Sequence, residues 1–566
     1  MVDFKGIAAG KMKALIEAMN EEAIYDNFEI PKYSHMGDLA FPCFKLAGIF
    51  KKSPKTIAGE LVADLDGSPY FEKIEAEGGY VNFTIDKGIL ARETLEEIFD
   101  KRAQFGSSEV GKNQKVIVEF SSTNIAKPFH IGHIRSTMIG NSLYRIHQFL
   151  GYDTVGINHL GDYGTQFGKL IVAFKRWGSK EVVEKDPIPE LLKLYVRFHE
   201  EAEKHPEMED EARMWFLKLE QKDPEAFELW QWIKEESLKE FNRVYTLLDV
   251  HFDSYAGESF YSDMMPEVLE KMRASGVLVK DQGAEIVDLS QYDMPPALVT
   301  KKDGSTLYIT RDITAAIYRK EHYDFAKNIY VVGSQQQLHF KQWMKIIEMM
   351  GYDWAGDCIH VEFGTVALEE GSLSTRRGNI VFLEDVLKKA VEKTREIIET
   401  KNPNLENKDQ IARDVGIGAV VFQELSNSRI KDYTFSWDKT LSFEGETGPY
   451  VQYTHARACS VLAKARIDVE QPVDYSLLKD DRSAEVIRLL SQFPQRVAMA
   501  AVKYEPSLIS RYVVDLAQEF NRFYHDNPIL SDDEAMTRAR VALVWGVRQT
   551  LSNGLYLVGV KAPEKM

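Results

Sequence analysis

The sequence predicts a multidomain α/β protein built around a Rossmann-like, doubly wound parallel sheet. In the middle of the chain, apolar β-rich runs alternate with helix-like runs, and that alternation is typical of parallel sheets. After about residue 385, apolar residues recur at three-and-four spacing, which predicts a bundle of helices. The chain has 566 residues, too many for one hydrophobic core. We therefore expect several domains.

The first 107 residues predict a small α+β domain, because helix-like stretches such as KTIAGELVADL mix with short alternating runs such as GGYVNFTI. The polar stretch RAQFGSSEVGKNQK, which contains glycine and serine, then predicts a linker. The other predicted regions are the two halves of the sheet domain at 108–178 and 300–385, an inserted domain at 179–299, a helical connecting region at 386–454, and an all-α bundle at 455–566.

Four apolar runs predict the strands of the central sheet, and helices are predicted between them near residues 136–150 and 340–351. The runs are VIVEF (116–120), DTVGINHL (153–160), FAKNIYVVGS (325–334) and CIHVEFGTVAL (358–368). The segment from Ser179 to Phe241 has a helical pattern with 18 acidic and 10 basic residues. We interpret it as the helical, acidic first half of the insertion, with solvated faces, in preference to a binding surface.

Composition excludes several classes of protein. Hydrophobic residues make up 44% and charged residues 28%, which gives no support for long disorder. No apolar run is long enough to span a bilayer, and the first residues are typical of an amphipathic helix, so we expect a cytoplasmic protein without membrane partners. Cys43, Cys358 and Cys459 lie far apart, which argues against a disulfide framework or a cysteine-rich zinc site.

The net charge of -17 argues against a protein that binds nucleic acid over its whole surface. The charge is uneven, however. The residues from Ala456 onward hold 15 Lys and Arg against 14 Asp and Glu, a charge of +1, which leaves -18 for residues 1–455. The C-terminal region therefore repels a polyanion least.

The stretch NIAKPFHIGHIRS (124–136) lies between a predicted strand and a predicted helix. A helix that begins at the carboxyl end of a parallel strand directs its free N–H groups towards anions, and a triphosphate would suit such a place. Gly132 would allow close approach of a nucleotide, His130 and His133 could donate to phosphoryl oxygens, and Lys127 adds a positive charge. The alternative is two surface histidines beside a tight turn.

Several segments, in order along nearly the whole chain, resemble arginyl-tRNA synthetase, a class I aminoacyl-tRNA synthetase. These segments are FSSTNIAKPFHIGHIRSTMIG, INHLGDYGTQFGKL, TLYITRDITAA, IYVVGSQQQLHFKQ, GSLSTRRGNIVFLEDVL, GETGPYVQYTHAR and the closing APEKM. The resemblance implies ATP-dependent ligation of L-arginine to tRNA(Arg), with no covalent enzyme intermediate and with Mg²⁺ carried on the ATP phosphates instead of being held by a protein metal site.

The resemblance also implies an arginine site. Glu119, Tyr308 and Asp312 match the positions that hold the guanidinium, which needs carboxylates in a fork geometry. The other matching positions are Ser122, Thr123 and Asn124 for the backbone part of the substrate, with Gln336 and His133 as further contacts. Thr123 departs from the proline that is more frequent there. From chemistry alone, Glu119 could simply end a strand and Asp312 could pair with Arg311.

The second class I signature is degenerate in this chain. The lysine expected at the start of the mobile loop is absent, and the resemblance assigns ATP and pyrophosphate contacts to Ser374, Arg376 and Arg377. In this family a lysine just before the first signature is thought to replace the missing loop lysine, and Lys127 occupies that position. The predicted catalytic set is Lys127, His130, His133, Arg376 and Arg377. Without the resemblance, the two loop arginines would be taken as solvated.

For tRNA, the resemblance implies an elbow-binding N-terminal domain and an anticodon-binding C-terminal domain. Asn82 matches the first, while Arg457, Tyr524 and Met566 match the second, where rings and a guanidinium could contact unstacked bases. Alternatively, Tyr524 is a core residue and Met566 a frayed terminus. The family is commonly monomeric, and its similarity implies that arginine activation waits for bound tRNA.

Three other functions are alternatives to this one. A class I synthetase for cysteine or methionine would typically carry zinc-binding cysteines, and one for Ile, Leu or Val would carry an editing insertion longer than the segment 179–299. A small-molecule nucleotidyltransferase would have no use for the long helical C-terminal region. A catalytically inactive, tRNA-binding relative is disfavoured because the core residues are present.

Overall fold

The computed structural model of the chain describes residues 2–31, 36–65, 67–302, 307–368, 381–466 and 472–566. By its internal contacts, the chain divides into two compact units. One comprises Met1–Phe105, Thr454–Pro494 and Asp515–Asn553, and the other comprises Gly106–Tyr453, Gln495–Val514 and Gly554–Met566.

The N-terminal part of the first unit is an α+β module, as predicted. Its elements are α1 (Phe4–Lys13), α2 (Glu21–Asn27), β1 (Leu39–Pro42), α3 (Ala47–Phe50), α4 (Pro54–Asp64), β2 (Phe71–Glu77), β3 (Tyr80–Ile85) and α5 (Lys87–Lys101). The three strands form an antiparallel sheet in the order β1-β3-β2. Asn20, Ser53 and Asp86 begin α2, α4 and α5, because each side chain accepts a hydrogen bond from a backbone N–H of the first turn.

The second unit begins with the first half of the parallel sheet. Its elements are β4 (Lys115–Glu119), α6 (Ile134–Phe149), β5 (Asp153–Ile157) and α7 (Thr165–Trp177). Val116, Ile117 and Val118 of β4 are all fully buried, which explains why this strand is a continuous apolar run.

The insertion starts with helices, as its pattern predicts, and ends with a small sheet. The helices are α8 (Lys180–Val183), α9 (Pro187–Ala202), α10 (Glu207–Glu220), α11 (Pro224–Leu248) and α12 (Met265–Ala274). The strands are β6 (Val279–Asp281), β7 (Ala284–Val287) and β8 (Ala297–Thr300), which pair antiparallel in chain order.

The second half of the core completes a four-stranded parallel sheet in the order β10-β9-β4-β5. Its elements are α13 (Tyr308–Tyr323), β9 (Lys327–Gly333), α14 (Gln337–Met349) and β10 (Cys358–Phe363). This strand order confirms the predicted doubly wound fold. All four carboxyl ends therefore lie along one edge of the sheet.

The run CIHVEFGTVAL, predicted as one strand, is two. After β10 the chain leaves the sheet, and β11 (Val366–Leu368) pairs in parallel with β12 (Tyr433–Phe435). At Gly364 between them, a Cβ would come 2.7 Å from Oδ1 of Asp432. Only glycine allows this close approach, and the path of the chain turns there.

The rest of the chain is mostly helical, which confirms the predicted C-terminal bundle. The helices are α15 (Leu383–Lys401), α16 (Lys408–Ser426), α17 (Trp437–Thr440), α18 (Gly448–Ala465), α19 (Asp481–Ser491), α20 (Phe493–Lys503), α21 (Ser507–Asp526) and α22 (Glu534–Leu557). None of the helices described is long and apolar enough to cross a membrane.

Within the first unit, the N-terminal module packs on helices of the C-terminal region. The rings of Phe99 and Trp545 stack with centroids 4.3 Å apart, and Asn553 donates from Nδ2 to the carbonyl oxygens of Arg102 and Phe105, each at 3.0 Å. No local sequence pattern predicted this association.

Candidate active site

The first class I signature is the run HIGH, His130 to His133. It lies where β4 ends and α6 begins. Between them the chain makes tight turns, with positive φ at Ser121, Ser122 and Ala126, and a short 3-10 helix at Ile131–His133 leads into α6. The signature therefore lies at the carboxyl edge of the sheet, where ligands of this fold bind.

The two signature histidines are held by the backbone. Nδ1 of His130 accepts from the Gly132 N–H at 3.1 Å, and Nδ1 of His133 accepts from the His130 N–H at 3.2 Å. Burial lowers the pKa of both, to about 3 for His133, so both are neutral at neutral pH. Because Nδ1 accepts in each ring, the proton of each neutral ring lies on Nε2. Each ring therefore offers one N–H donor.

Gly132 leaves room for the His130 ring beside this turn. The His130 ring lies so close to it that a Cβ at position 132 would come 2.8 Å from Cε1 of His130. Lys127, just before the signature, is exposed, and no described residue forms an ion pair with it. Its charge is therefore available to an anionic ligand.

Residues 381–383 follow the second signature and bond to the first. The Ile131 N–H donates to the Val381 carbonyl at 3.2 Å, and the Leu383 N–H donates to that of Phe129 at 2.9 Å. Ser374, Arg376 and Arg377 lie outside the described residues. Their predicted contacts with ATP stay predictions, but the chain re-enters the described structure directly beside His130.

Arg135 ties the start of α6 to one residue before the second signature, Thr365, and to two residues well after it, Arg429 and Lys431. Its Nη1 donates to the carbonyl oxygens of Thr365 and Lys431 at 3.3 and 2.8 Å, and Nη2 donates to that of Arg429 at 3.2 Å. Thr365 immediately precedes β11. No sequence pattern predicted a role for this buried arginine.

Two predicted arginine ligands, Glu119 and Asp312, carry resident partners. Nη1 of Arg319 lies 2.6 Å from Oε2 of Glu119 at the end of β4, and both side chains are buried. Nε2 of His339 lies 2.5 Å from Oδ2 of Asp312, and both of these side chains are partly exposed. The expected alternative pair of Asp312 with Arg311 does not form, because Arg311 pairs with Glu258 at 2.8 Å.

The helix α13 arranges several of these residues along one face. Tyr308, Asp312 and Arg319 follow each other at helical spacing along α13. Tyr308 is 67% exposed at the start of the helix, whereas Arg319 is fully buried. This face of α13 therefore has an exposed aromatic ring at its start and a buried ion pair near its end.

The remaining predicted arginine contacts lie in the segments that follow β4 and β9 at the same edge of the sheet. Thr123 and Asn124 pair with Gly161: the Gly161 N–H donates to the Thr123 carbonyl at 3.0 Å, and Asn124 forms an isolated β-bridge with Gly161. Ser122 precedes them at a positive φ. Gln336 is exposed and directly precedes α14.

Asp162, in the segment INHLGDYG, has a structural role that sequence reasoning missed. Its fully buried carboxylate lies 2.5 Å from Nζ of Lys234 in α11 and accepts from Ser259 N and Oγ at 2.8 and 2.7 Å. It thus fixes the insertion to the loop after β5. The sequence singled out the segment INHLGDYG that contains Asp162, but it gave no sign of this role because Lys234 and Ser259 are remote in sequence.

The predicted tRNA contacts have different surroundings. Arg457 donates from Nη1 to Oδ1 of Asn521 at 2.6 Å and lies over the ring of Tyr524, which is 39% exposed. Asn82 is buried in β3. Met566, assigned to the other compact unit, packs on a cluster of Ile398, Ile411, Ala412 and Val415.

Comparisons with known protein families match almost the whole chain. Residues 94–437 match the family described as tRNA synthetases class I (R), catalytic domain. Residues 451–566 match the DALR anticodon binding domain, and residues 9–85 match the arginyl tRNA synthetase N terminal domain.

Similar full-length proteins are also known. The arginine–tRNA ligases of Clostridioides difficile and Halothermothrix orenii are 62% and 60% identical over 566 residues, covering all of each chain. The solved arginyl-tRNA synthetase of Thermus thermophilus is 24% identical with a TM-score of 0.80 over all of both chains. That of Plasmodium falciparum is 25% identical with a TM-score of 0.81, covering 99% of this chain and 98% of that one.

Proposed function

The chain belongs to the arginyl-tRNA synthetase family, and from that premise we propose that it ligates L-arginine to tRNA(Arg) with ATP, releasing AMP and diphosphate. The observation that carries this proposal is the meeting of two kinds of group at one edge of the sheet. Neutral histidine donors and an unpaired lysine suit phosphates, and two carboxylates, Glu119 and Asp312, suit a guanidinium.

In the first step, the arginine carboxylate attacks the α-phosphorus of ATP in line and diphosphate leaves. His130 and His133 donate from Nε2 to phosphoryl oxygens as negative charge grows, and Lys127 balances that charge. Neutral imidazoles suit this role, because they need no proton exchange with the substrate. Arg376 and Arg377 are proposed to act on the departing diphosphate.

The substrate's guanidinium is proposed to lie among Glu119, Asp312 and Tyr308, with Ser122, Thr123, Asn124 and Gln336 contacting its α-amino and carboxylate end. A terminal ribose hydroxyl of tRNA then attacks the carbonyl of the arginyl-adenylate, and AMP leaves. Binding and orientation are the protein's main contributions, because the chain supplies no covalent nucleophile in this scheme.

Mg²⁺ is proposed to enter on the ATP phosphates. In the described part of the chain, no group of three or more His, Cys, Asp or Glu could hold a metal ion. We further propose that the enzyme works as a monomer in the cytoplasm, where its substrates ATP and tRNA are found.

For tRNA, Asn82 is proposed to lie in the elbow-binding domain, and Arg457, Tyr524 and Met566 in the anticodon-binding domain. Asn82 would need its surroundings to open, because its side chain is only 1% exposed. Arg457 and Tyr524 are the better supported pair, since they lie together and the ring is partly open to solvent.

The test is ATP–diphosphate exchange with each amino acid in turn, with and without tRNA(Arg). Exchange should require arginine alone among the amino acids, and the resemblance leads us to expect that it also requires tRNA. Exchange with another amino acid would refute the proposed specificity. Tight tRNA binding without exchange or charging would instead indicate an inactive relative.

A further inference from the structure

His339 contacts a carboxylate that the proposed function assigns to the substrate. It is the third residue of α14, and its Nε2 lies 2.5 Å from Oδ2 of Asp312 in α13. The side chains are 26% and 32% exposed, so a ligand can reach this pair. An ionised carboxylate only accepts hydrogen bonds, so Nε2 of His339 carries the proton.

The two helices that carry the pair are held rigidly. Ile313 and Ile317 of α13 and Phe340 and Trp343 of α14 belong to one buried core cluster. Since each helix is fixed by this packing, the separation of His339 from Asp312 is set by the scaffold and not by a mobile loop.

His339 forms a hydrogen bond with only one of the two carboxylate oxygens of Asp312, Oδ2. Among the residues that the structure describes, none donates a hydrogen bond to Oδ1 of Asp312. Rotation about the Cβ–Cγ bond would exchange the two oxygens, and a hydrogen bond to Oδ2 opposes that rotation. The contact therefore fixes which oxygen remains for a ligand.

Glu119 also has a resident cation beside it. Nη1 of Arg319 lies 2.6 Å from Oε2 of Glu119, and both side chains are buried. Burial raises the pKa of the Tyr330 hydroxyl well above its ordinary value, and the charges of Glu119 and Asp312 raise it further. Each of the two carboxylates thus has a resident donor or cation beside one of its oxygens.

We infer that His339 is a positioning residue for arginine: it holds Oδ2 of Asp312 so that Oδ1 faces the guanidinium of the substrate. This inference rests on the proposed function, in which Asp312 binds that guanidinium. A guanidinium has a rigid planar set of donors, so the orientation of each acceptor carboxylate matters for its recognition.

A competing role for His339 predicts the opposite change in arginine affinity when the imidazole is removed. If His339 merely occupied the place of the substrate guanidinium, arginine would have to displace it, and removing the imidazole would strengthen arginine binding. The two roles are therefore separated by the direction of one measured change.

The test compares His339→Ala with His339→Gln in tRNA charging, because the Gln amide nitrogen can occupy the place of the imidazole Nε2. In His339→Ala, KM for arginine should rise by about threefold to tenfold, the size of one lost hydrogen bond, while kcat and KM for ATP change little. His339→Gln should restore most of the loss.

His322→Ala is the matched control. His322 lies on the exposed side of α13, where its ring stacks on Tyr318 with centroids 3.7 Å apart. This variant should leave KM for arginine unchanged. The dissociation constant of arginine, measured by calorimetry with tRNA present, gives a second readout that does not depend on turnover, and melting temperatures verify folding.

An unchanged or lowered KM for arginine in His339→Ala would overturn the inference, and so would an equal loss in the Ala and Gln variants. The proposed function fails separately: in that case the unaltered protein itself would show no arginine-dependent charging.

Discussion

Nε of Arg135 donates to Oε1 of Glu424 at 2.8 Å, and both side chains are almost completely buried. Oε2 of the same glutamate accepts from the Tyr433 hydroxyl at 2.8 Å. This pair joins α6, which begins at the first signature, to α16 and to the strand pair β11–β12. It therefore links the proposed site of phosphate chemistry to the strand β11, which leads into the second signature.

Removal of Arg135 should strongly destabilise the protein. Arg135→Met leaves the Glu424 carboxylate buried without its cation, and such a loss typically costs about 3 to 5 kcal/mol of unfolding free energy. Urea titration of the full chain would measure it. The control is Arg273→Met, since Arg273 pairs with Glu285 at the surface and should cost less than about 1 kcal/mol. Equal stability of the two variants would contradict the structural role.

His147 should make the protein sensitive to acid. Burial lowers its pKa to about 4, and its Nδ1 donates to the Leu143 carbonyl at 2.8 Å. The unfolded chain binds a proton near the ordinary histidine pKa and the folded chain does not, so stability is full above about pH 6.5 and falls as pH drops towards 4.

His147→Gln should therefore lose less stability than the unaltered protein between pH 7 and pH 4.5. The expected difference in the change of unfolding free energy is about 2 kcal/mol. Denaturant titrations at several pH values would measure it, and His205→Gln, at an exposed position, serves as the control. Parallel pH profiles of His147→Gln and the unaltered protein would show that His147 does not carry this effect.

Lys127 should act on the rate and not on stability. Lys127→Ala should lower the rate of arginyl-adenylate formation by about tenfold or more with little change in KM for arginine, because its charge is proposed to act on phosphates. Rapid-quench kinetics would measure the rate. Its melting temperature should stay constant, since the side chain is exposed. Lys112→Ala, which removes another exposed lysine, should retain the full rate; a normal rate in Lys127→Ala would exclude the proposed role.

Asp312 should govern arginine recognition. Asp312→Asn removes a charge-assisted hydrogen bond worth about 1.5 to 3 kcal/mol, so KM for arginine should rise about tenfold to a hundredfold while KM for ATP changes little. Steady-state charging assays would separate the two constants. Asp324→Asn at the end of the same helix is the matched control, because asparagine tolerates its left-handed backbone. Equal changes in both constants would rule out this assignment.

The sequence predicted those features that depend on neighbours in the chain. Strands buried on both faces are continuous apolar runs, so β4 and β9 could be found from composition alone. The first signature is likewise local, because the bonds that hold His130 and His133 span at most three residues. Local patterns therefore located the sheet and the phosphate end of the candidate site.

Features that depend on remote partners were not predictable. The partner of Glu119 is Arg319 and that of Asp312 is His339, and nothing near either acid marks its partner. The break between β10 and β11 depends on the packing of Asp432 against Gly364. In each case, tertiary packing decides the outcome, and sequence spacing carries no information about it.

Met566 shows how such packing changes a prediction. Its backbone oxygen accepts from Nδ2 of Asn402 at 3.4 Å, and its side chain covers a small buried cluster. Deletion of residues 562–566 would therefore expose apolar surface as well as remove a proposed tRNA contact. Loss of charging in that deletion would not separate an anticodon contact of Met566 from this packing, so a point variant at a different proposed anticodon residue is the better test of the proposed anticodon surface.

Tyr524→Ala provides that test. The Tyr524 ring is 39% exposed and lies 5.4 Å from the Arg457 guanidinium carbon, which Asn521 holds in place, so the ring and the guanidinium together offer a stacking surface for an unpaired base. Stacking is worth about 1 to 3 kcal/mol per base, so charging of full-length tRNA(Arg) should weaken about tenfold, mainly through KM for tRNA.

Tyr556→Ala is the matched control, because Tyr556 is also exposed and also has an arginine, Arg145, over its ring. Because arginine and ATP are proposed to bind at the sheet edge, their KM values should stay constant in Tyr524→Ala. Unchanged KM for tRNA would exclude Tyr524 from the anticodon contact, and a lowered melting temperature of the same variant would assign its effect to the packing of α21 instead.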